Sequence, residues 1–202
     1  MPSINLQFQL NGEIYKVDLD RTQKEFEKYA NAVIKQAQKI LAKEGKNASG
    51  NLSKSMNHTF EINKREFALV FNFDKAPYWQ FVEEGVQGAV TNKKAPNSPF
   101  KFGSGTGPKG MMRPAIRKWI NDKPVKQWRN TKSGRFMSYD QMAQTISRSI
   151  YMHGIEPTPF FKPTMTILFK KYQKRIELAY ASDVFHFFQK NIPQEIVFEI
   201  VI

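Results

Sequence analysis

Between Lys93 and Arg135 the chain carries twelve basic residues and a single acid, Asp122, which is eleven of its formal charge of +13. Burying unpaired ammonium or guanidinium groups is costly, so this stretch cannot supply a large apolar core. The core has to come from what flanks it. The block also holds Phe102-Gly-Ser-Gly-Thr-Gly-Pro-Lys-Gly110, the composition of a flexible loop. The expectation is a long basic loop/helix insertion, 86–154, set into a single core domain built from 1–85 and 155–202. Such a block is either solvated surface or a segment that touches an acidic protein or the phosphates of DNA.

The flanks can supply that core. The 202 residues are 41% hydrophobic and 13% aromatic, which excludes a disordered chain. With the basic block set aside, the remainder is nearly neutral. There is no cysteine, hence no disulfide, no thiolate metal site and no cysteine nucleophile, and a reducing site of synthesis is expected. No apolar run approaches the roughly 20 residues that span a bilayer. Met1 to Leu10 alternates and lacks a cationic leader, so no signal peptide is expected.

Local patterns place the elements. Ile4, Leu6, Phe8 and Leu10 alternate with polar residues, Asn11-Gly12 follows, and Tyr15, Val17 and Leu19 resume the alternation, which predicts a hairpin. Thr22 and Glu25 stand at capping-box spacing. Phe26, Ala30, Val33, Ala37, Ile40 and Leu41 then form a helical stripe over 23–44, which Gly45 ends. A polar connector with a helical turn near Leu52 leads to a second hairpin, 58–62 with 67–73. A short helix over 76–85 stops at Gly85, and a further helix starts at Pro114. Ser138 and Gln141 form another capping box for a helix from Tyr139 to His153, stopped by Gly154. After the stiff segment 156–162, a long helix from Pro163 is expected to break near Ser182-Asp183. Glu195 to Ile202 is a final strand, apolar on both faces.

Catalytic signals are poor. His58, His153 and His186 stand apart with no ligand spacing. Gly103 to Gly107 lies near Lys109 but lacks the ending of a phosphate loop. Glu83 and Glu84 point about 100° apart on a helix and make no carboxylate pair. No catalytic, cofactor-binding or metal-ligating residue is assigned, and the chain is not expected to be an enzyme. The candidate contacts to DNA or a partner are Lys93, Lys94, Lys101, Lys109, Arg113, Arg117, Lys118, Lys126, Arg129, Lys132 and Arg135. Trp119, Trp128 and Phe136 are interleaved with them, as rings that could stack on bases or anchor the arm to a neighbour.

Three segments occur in a telling order: Ser49-Gly-Asn-Leu-Ser-Lys-Ser55, Ala76-Pro-Tyr-Trp-Gln-Phe-Val-Glu-Glu-Gly85 and Pro157-Thr-Pro-Phe-Phe-Lys-Pro163. Together they resemble the head–tail joining and tail-completion proteins of tailed double-stranded DNA phages. Gly50, Leu52 and Ser55 match the first motif of that family. Tyr78, Glu83 or Glu84, and Gly85 match the second, with Val86 where threonine is usual. Pro159, Phe160 or Phe161, and Pro163 match the third, with Thr164 in place of alanine. The resemblance spans roughly 23–190, interrupted by the insertion.

The resemblance implies a structural role without chemistry. Tyr78, Phe81 and Phe160 would pack helices onto the sheet. The protein would form a homo-oligomeric ring, six- or twelve-fold, at the neck of the virion, made in the host cytoplasm. Its partners would be portal or head–tail adaptor proteins, tail proteins and genomic DNA in the channel. No cofactor and no membrane partner is expected. The expected fold is α+β, a mostly antiparallel sheet packed against two long helices. The alternative function is a free-standing nucleic-acid-binding protein acting through 93–135.

Overall fold

The structure, a computed structural model, describes residues 5–10, 13–46, 49–62, 67–103, 110, 112–123 and 125–191. In chain order the elements are β1 (Asn5–Leu10), β2 (Glu13–Asp18), α1 (Asp20–Lys43), α2 (Asn51–Ser55), β3 (Met56–Ile62), β4 (Phe67–Phe73), α3 (Trp79–Glu84), β5 (Val86–Gln87), α4 (Met112–Asp122), α5 (Tyr139–His153), β6 (Gly154–Ile155) and α6 (Lys162–Asn191). The fold is α+β, and the two long helices are present. The expected mostly-sheet layer is not: among the described residues the strands form three separate two-stranded pieces, β1–β2, β3–β4 and β5–β6. The predicted strand 195–202 and the turn Asn11-Gly12 lie outside the described residues.

The chain divides into two compact units. The first takes the described residues up to 36, 56–72 and from 163 onward; the second takes 37–55 and 73–162. The whole of 86–154 falls in the second, together with the three motif segments up to Lys162.

In the first unit β1 and β2 pair antiparallel with Leu6 opposite Val17 and Phe8 opposite Tyr15, the register that the alternation demands. Val17, Leu19 and Phe187 form a buried cluster against Phe60, Phe67 and Val184. Helices α1 and α6 run antiparallel, since Thr22 meets Asp183, Glu25 meets Arg175 and Tyr29 meets Met165. Tyr29 is buried, and its hydroxyl donates to the Met165 carbonyl at 3.0 Å. Rings of Phe71, Phe169 and Tyr172 surround it. This burial raises the Tyr29 pKa.

Two expectations fail at one contact. Thr22 does not cap α1; it lies inside the helix, which starts at Asp20. Its N–H and its hydroxyl both donate to Asp183 Oδ2, at 2.9 and 2.8 Å, and the Arg21 N–H reaches Oδ1 at 3.4 Å. A carboxylate from α6 thus satisfies the first-turn donors that a local cap would have taken, and it sits well against the positive end of the helix. The same contact keeps α6 unbroken through 30 residues. Ser182 accepts from the Arg21 guanidinium, and Asp183 from α1, so neither side chain is left to compete for its own backbone.

In the second unit α1 ends in a Schellman motif. The Gly45 N–H bonds the Ala42 carbonyl at 3.1 Å, and the Lys46 N–H bonds the Leu41 carbonyl at 2.9 Å, with Gly45 at φ 64° as the motif requires. Lys123 donates to the Gly45 carbonyl at 2.6 Å, a cation at the negative helix end. Helix α5 opens with the predicted capping box of Ser138 and Gln141. It packs on α4 through Ile120, Met142 and Ala143, flanked by Ile116, Trp119, Val125, Met137 and Ile146. The basic segment therefore contains a small core of its own. Among the described residues no helix is long and apolar enough to cross a membrane.

Candidate functional site

The second and third motif segments converge on one carboxylate. A turn at Ala76 to Tyr78 leads into α3, which ends at Gly85 with φ 70°. A side chain at Gly85 would place its Cβ 2.5 Å from the Ile155 carbonyl oxygen and 2.7 Å from the Pro157 nitrogen, so only glycine fits. The antiparallel pair β5–β6 sets Val86 opposite Ile155, and the Thr158 N–H bonds the Val82 carbonyl at 2.8 Å. This closure carries Glu83 to the start of α6. Glu83 is 3% exposed. Its Oε2 accepts the N–H groups of Phe160 and Phe161, and its Oε1 that of Lys162, all at 2.9 Å.

An aromatic cluster closes around this cap. Phe73 stacks on Trp79 at 4.4 Å and meets Phe161 edge-on at 5.1 Å. Phe160 is fully buried. Tyr78 and Phe81, expected to pack inward, are 39% and 44% exposed; Trp79 takes the inward position between them. Glu84 turns the other way and pairs with the Lys162 ammonium. That hydrogen bond holds the Lys162 pKa above its ordinary value. Pro159 and Pro163 are exposed. In the first motif Gly50 takes φ 74°, and Leu52 and Ser55 are buried on α2. The Ser55 hydroxyl donates to the Leu52 carbonyl at 2.9 Å, and Gln38 donates to the Ser53 carbonyl at 2.9 Å.

The candidate bases differ in their surroundings. Lys93, Lys94, Lys101, Arg113, Lys118, Lys126 and Lys132 are exposed on loops and on α4, and Lys109 lies outside the described residues. Arg117 is held inside the unit: its Nε lies 3.2 Å from Asp140, another of its nitrogens donates to Asn121, and its guanidinium lies 5.1 Å over Tyr139. Arg129 and Arg135 belong to a tight hairpin. Asn130 donates to the Arg135 carbonyl at 2.8 Å, Gly134 to Asn130 at 2.8 Å and Met137 to Trp128 at 2.7 Å. The Asn130 side chain accepts from the N–H groups of Lys132 and Ser133. The Arg129 guanidinium lies 4.7 Å over the Phe136 ring.

Between this hairpin and α5 lies an open cleft of about 650 Å³, lined among others by Arg135, Phe136, Met137, Gln144, Arg148, Met152 and His153. Arg148 and His153 lie outside the basic block of the sequence. The readable signal was helical spacing, since Gln144, Arg148 and Met152 fall on one face of α5. The three histidines stay apart: His58 is edge-on to Phe60, His153 lines this cleft, and His186 lies on α6 near Asp183. Among the described residues no three His, Asp or Glu side chains converge as a metal site. No protein-family model matches the chain, and neither a curated protein nor a solved structure matches it.

Proposed function

We propose that this chain is a structural virion protein that forms a homo-oligomeric ring at the head–tail junction of a tailed double-stranded DNA phage. It would act in a neck, tail-completion or tail-terminator role, between portal or adaptor proteins and tail proteins, with genomic DNA in its channel. The observation that carries the reading is the Glu83 cap. Two of the three ordered motif segments, 77 residues apart, meet at one buried carboxylate. Their residue types thus have a joint structural reason, the rigid start of a 30-residue helix, which suits a part whose job is fixed geometry. The reading gives the chain no catalytic role.

Native mass spectrometry and electron microscopy of the purified protein, with proteomics of virions, test it. A ring of six or twelve copies that is present in virions is the expected result. A protein that stays monomeric and is absent from virions refutes it.

A further inference from the structure

We propose that the cleft between the 128–137 hairpin and α5 binds an unpaired nucleic-acid strand. The inference does not depend on the ring reading. The first ground is charge. Arg135 and Arg148 line the cleft, and among the described residues no carboxylate does. Elsewhere in this unit Arg117 is matched by Asp140, whereas neither cleft arginine has a carboxylate partner among the described residues. Two guanidiniums facing one concavity without counter-charge suit phosphate, which they can hold bidentately.

The second ground is the apolar surface set between them. Phe136 is 61% exposed with the Arg129 guanidinium over one face, on a hairpin whose backbone is fixed by three hydrogen bonds within it, and Met137 and Met152 line the same cleft. An exposed ring on a rigid support is a stacking platform, and thioethers adapt to whatever flat group lies on them. The Gln144 amide offers both a donor and an acceptor for a base edge. A duplex hides its base faces and would use only the arginines. An acidic peptide would leave the ring unused. An unpaired strand uses the cations and the ring together.

Fluorescence anisotropy with a labelled oligothymidylate of about twelve nucleotides tests this on the full chain. The expected result is saturable binding that weakens with salt, with a log–log slope near −0.7 per phosphate neutralised. In R135Q/R148Q, affinity at 0.1 M salt should fall about tenfold, and the slope should flatten by about 1.4. F136A should lose about fivefold or more with the slope unchanged, because stacking is not ionic. K170Q/K171Q on α6 removes the same charge from residues that do not line the cleft and should bind within twofold of the parent. Circular dichroism confirms that each variant is folded. The proposal is overturned if no saturable binding occurs, or if the arginine and Phe136 variants bind like the parent. It is also overturned if a duplex of equal charge binds as tightly as the single strand, or if oligoglutamate of equal length displaces the strand at equal concentration.

Discussion

Replacing Glu83 gives the sharpest check on the cap. In E83A the N–H groups of Phe160 and Phe161, both buried, lose their acceptor, as does the partly buried Lys162 N–H. Leaving a buried donor unsatisfied costs about 1–3 kcal/mol, and losing a negative charge at a helix start about 0.3–1 kcal/mol. The three donors share one group and are not additive, so about 4 kcal/mol is expected. E83Q separates the contributions. Its amide oxygen can take the Oε2 position and keep two bonds without charge, but its NH₂ then faces the Lys162 N–H, donor against donor. About half the loss, near 2 kcal/mol, is expected. The assay is urea unfolding followed by tryptophan fluorescence. Trp79, Trp119 and Trp128 all lie in the second unit, so the signal reports on the unit that holds the cap. If both variants unfold within about 0.5 kcal/mol of the parent, the range of an ordinary surface substitution, the cap is not structural and the main support for the ring reading goes with it.

Other sites test other parts of the fold. D183N should lower the stability of the first unit by about 2 kcal/mol, because Thr22 loses a charged acceptor for two donors; loss of helical circular dichroism in urea measures it. G154A should be far worse than G134A. A side chain at Gly154 (φ 82°) meets the Val86 carbonyl, while one at Gly134 (φ 67°) meets nothing within 4 Å, so about 3 kcal/mol or more is expected against about 1; thermal midpoints should rank them in that order. Glu25 has its pKa lowered, first by the hydrogen bond from Lys28, with Arg175 adding attraction. A depressed carboxyl contributes stability above its unfolded pKa and loses it as pH falls through the folded one. The parent should therefore lose stability faster than E25Q as pH drops below the ordinary glutamate range, and equal slopes in acid unfolding would contradict the ion pair.

Local signals were legible and distant ones were not. The alternation of β1 and β2, the α5 capping box and the stops at Gly45, Gly85 and Gly154 each depend on a few neighbouring residues. The helical turn at Leu52 is of the same kind. Thr22 misled because its competitor, Asp183, lies 161 residues away, and no pattern within one helix reveals an acceptor donated by another. The polar pair Ser182-Asp183 misled for the same reason. Between Glu83 and Glu84 the sequence could not choose. The structure separates them by the 100° step of a helix, one toward buried N–H groups and the other toward the Lys162 ammonium. Trp79 and Tyr78 differ likewise by one position, and it is Trp79 that stacks on Phe73 and meets Phe161.

The residues of the basic block meet different surroundings for a related reason. Charge counted along the chain groups residues by sequence, whereas a ligand meets them by position. Lys123 is spent at the end of α1, on the Gly45 carbonyl. Arg117 is neutralised by Asp140, an acid from beyond the block. The cleft pairs Arg135, which the count includes, with Arg148, which it does not. Deleting 93–135 would therefore be a poor test of nucleic-acid binding, since it removes Ile116, Trp119 and Ile120 from the small core but only Asn130, Ser133 and Arg135 from the cleft lining, and leaves Arg148 in place. A substitution that takes one arginine from each side keeps the core and changes only the charge facing the cleft, so a change in salt dependence in that variant can be attributed to the cleft.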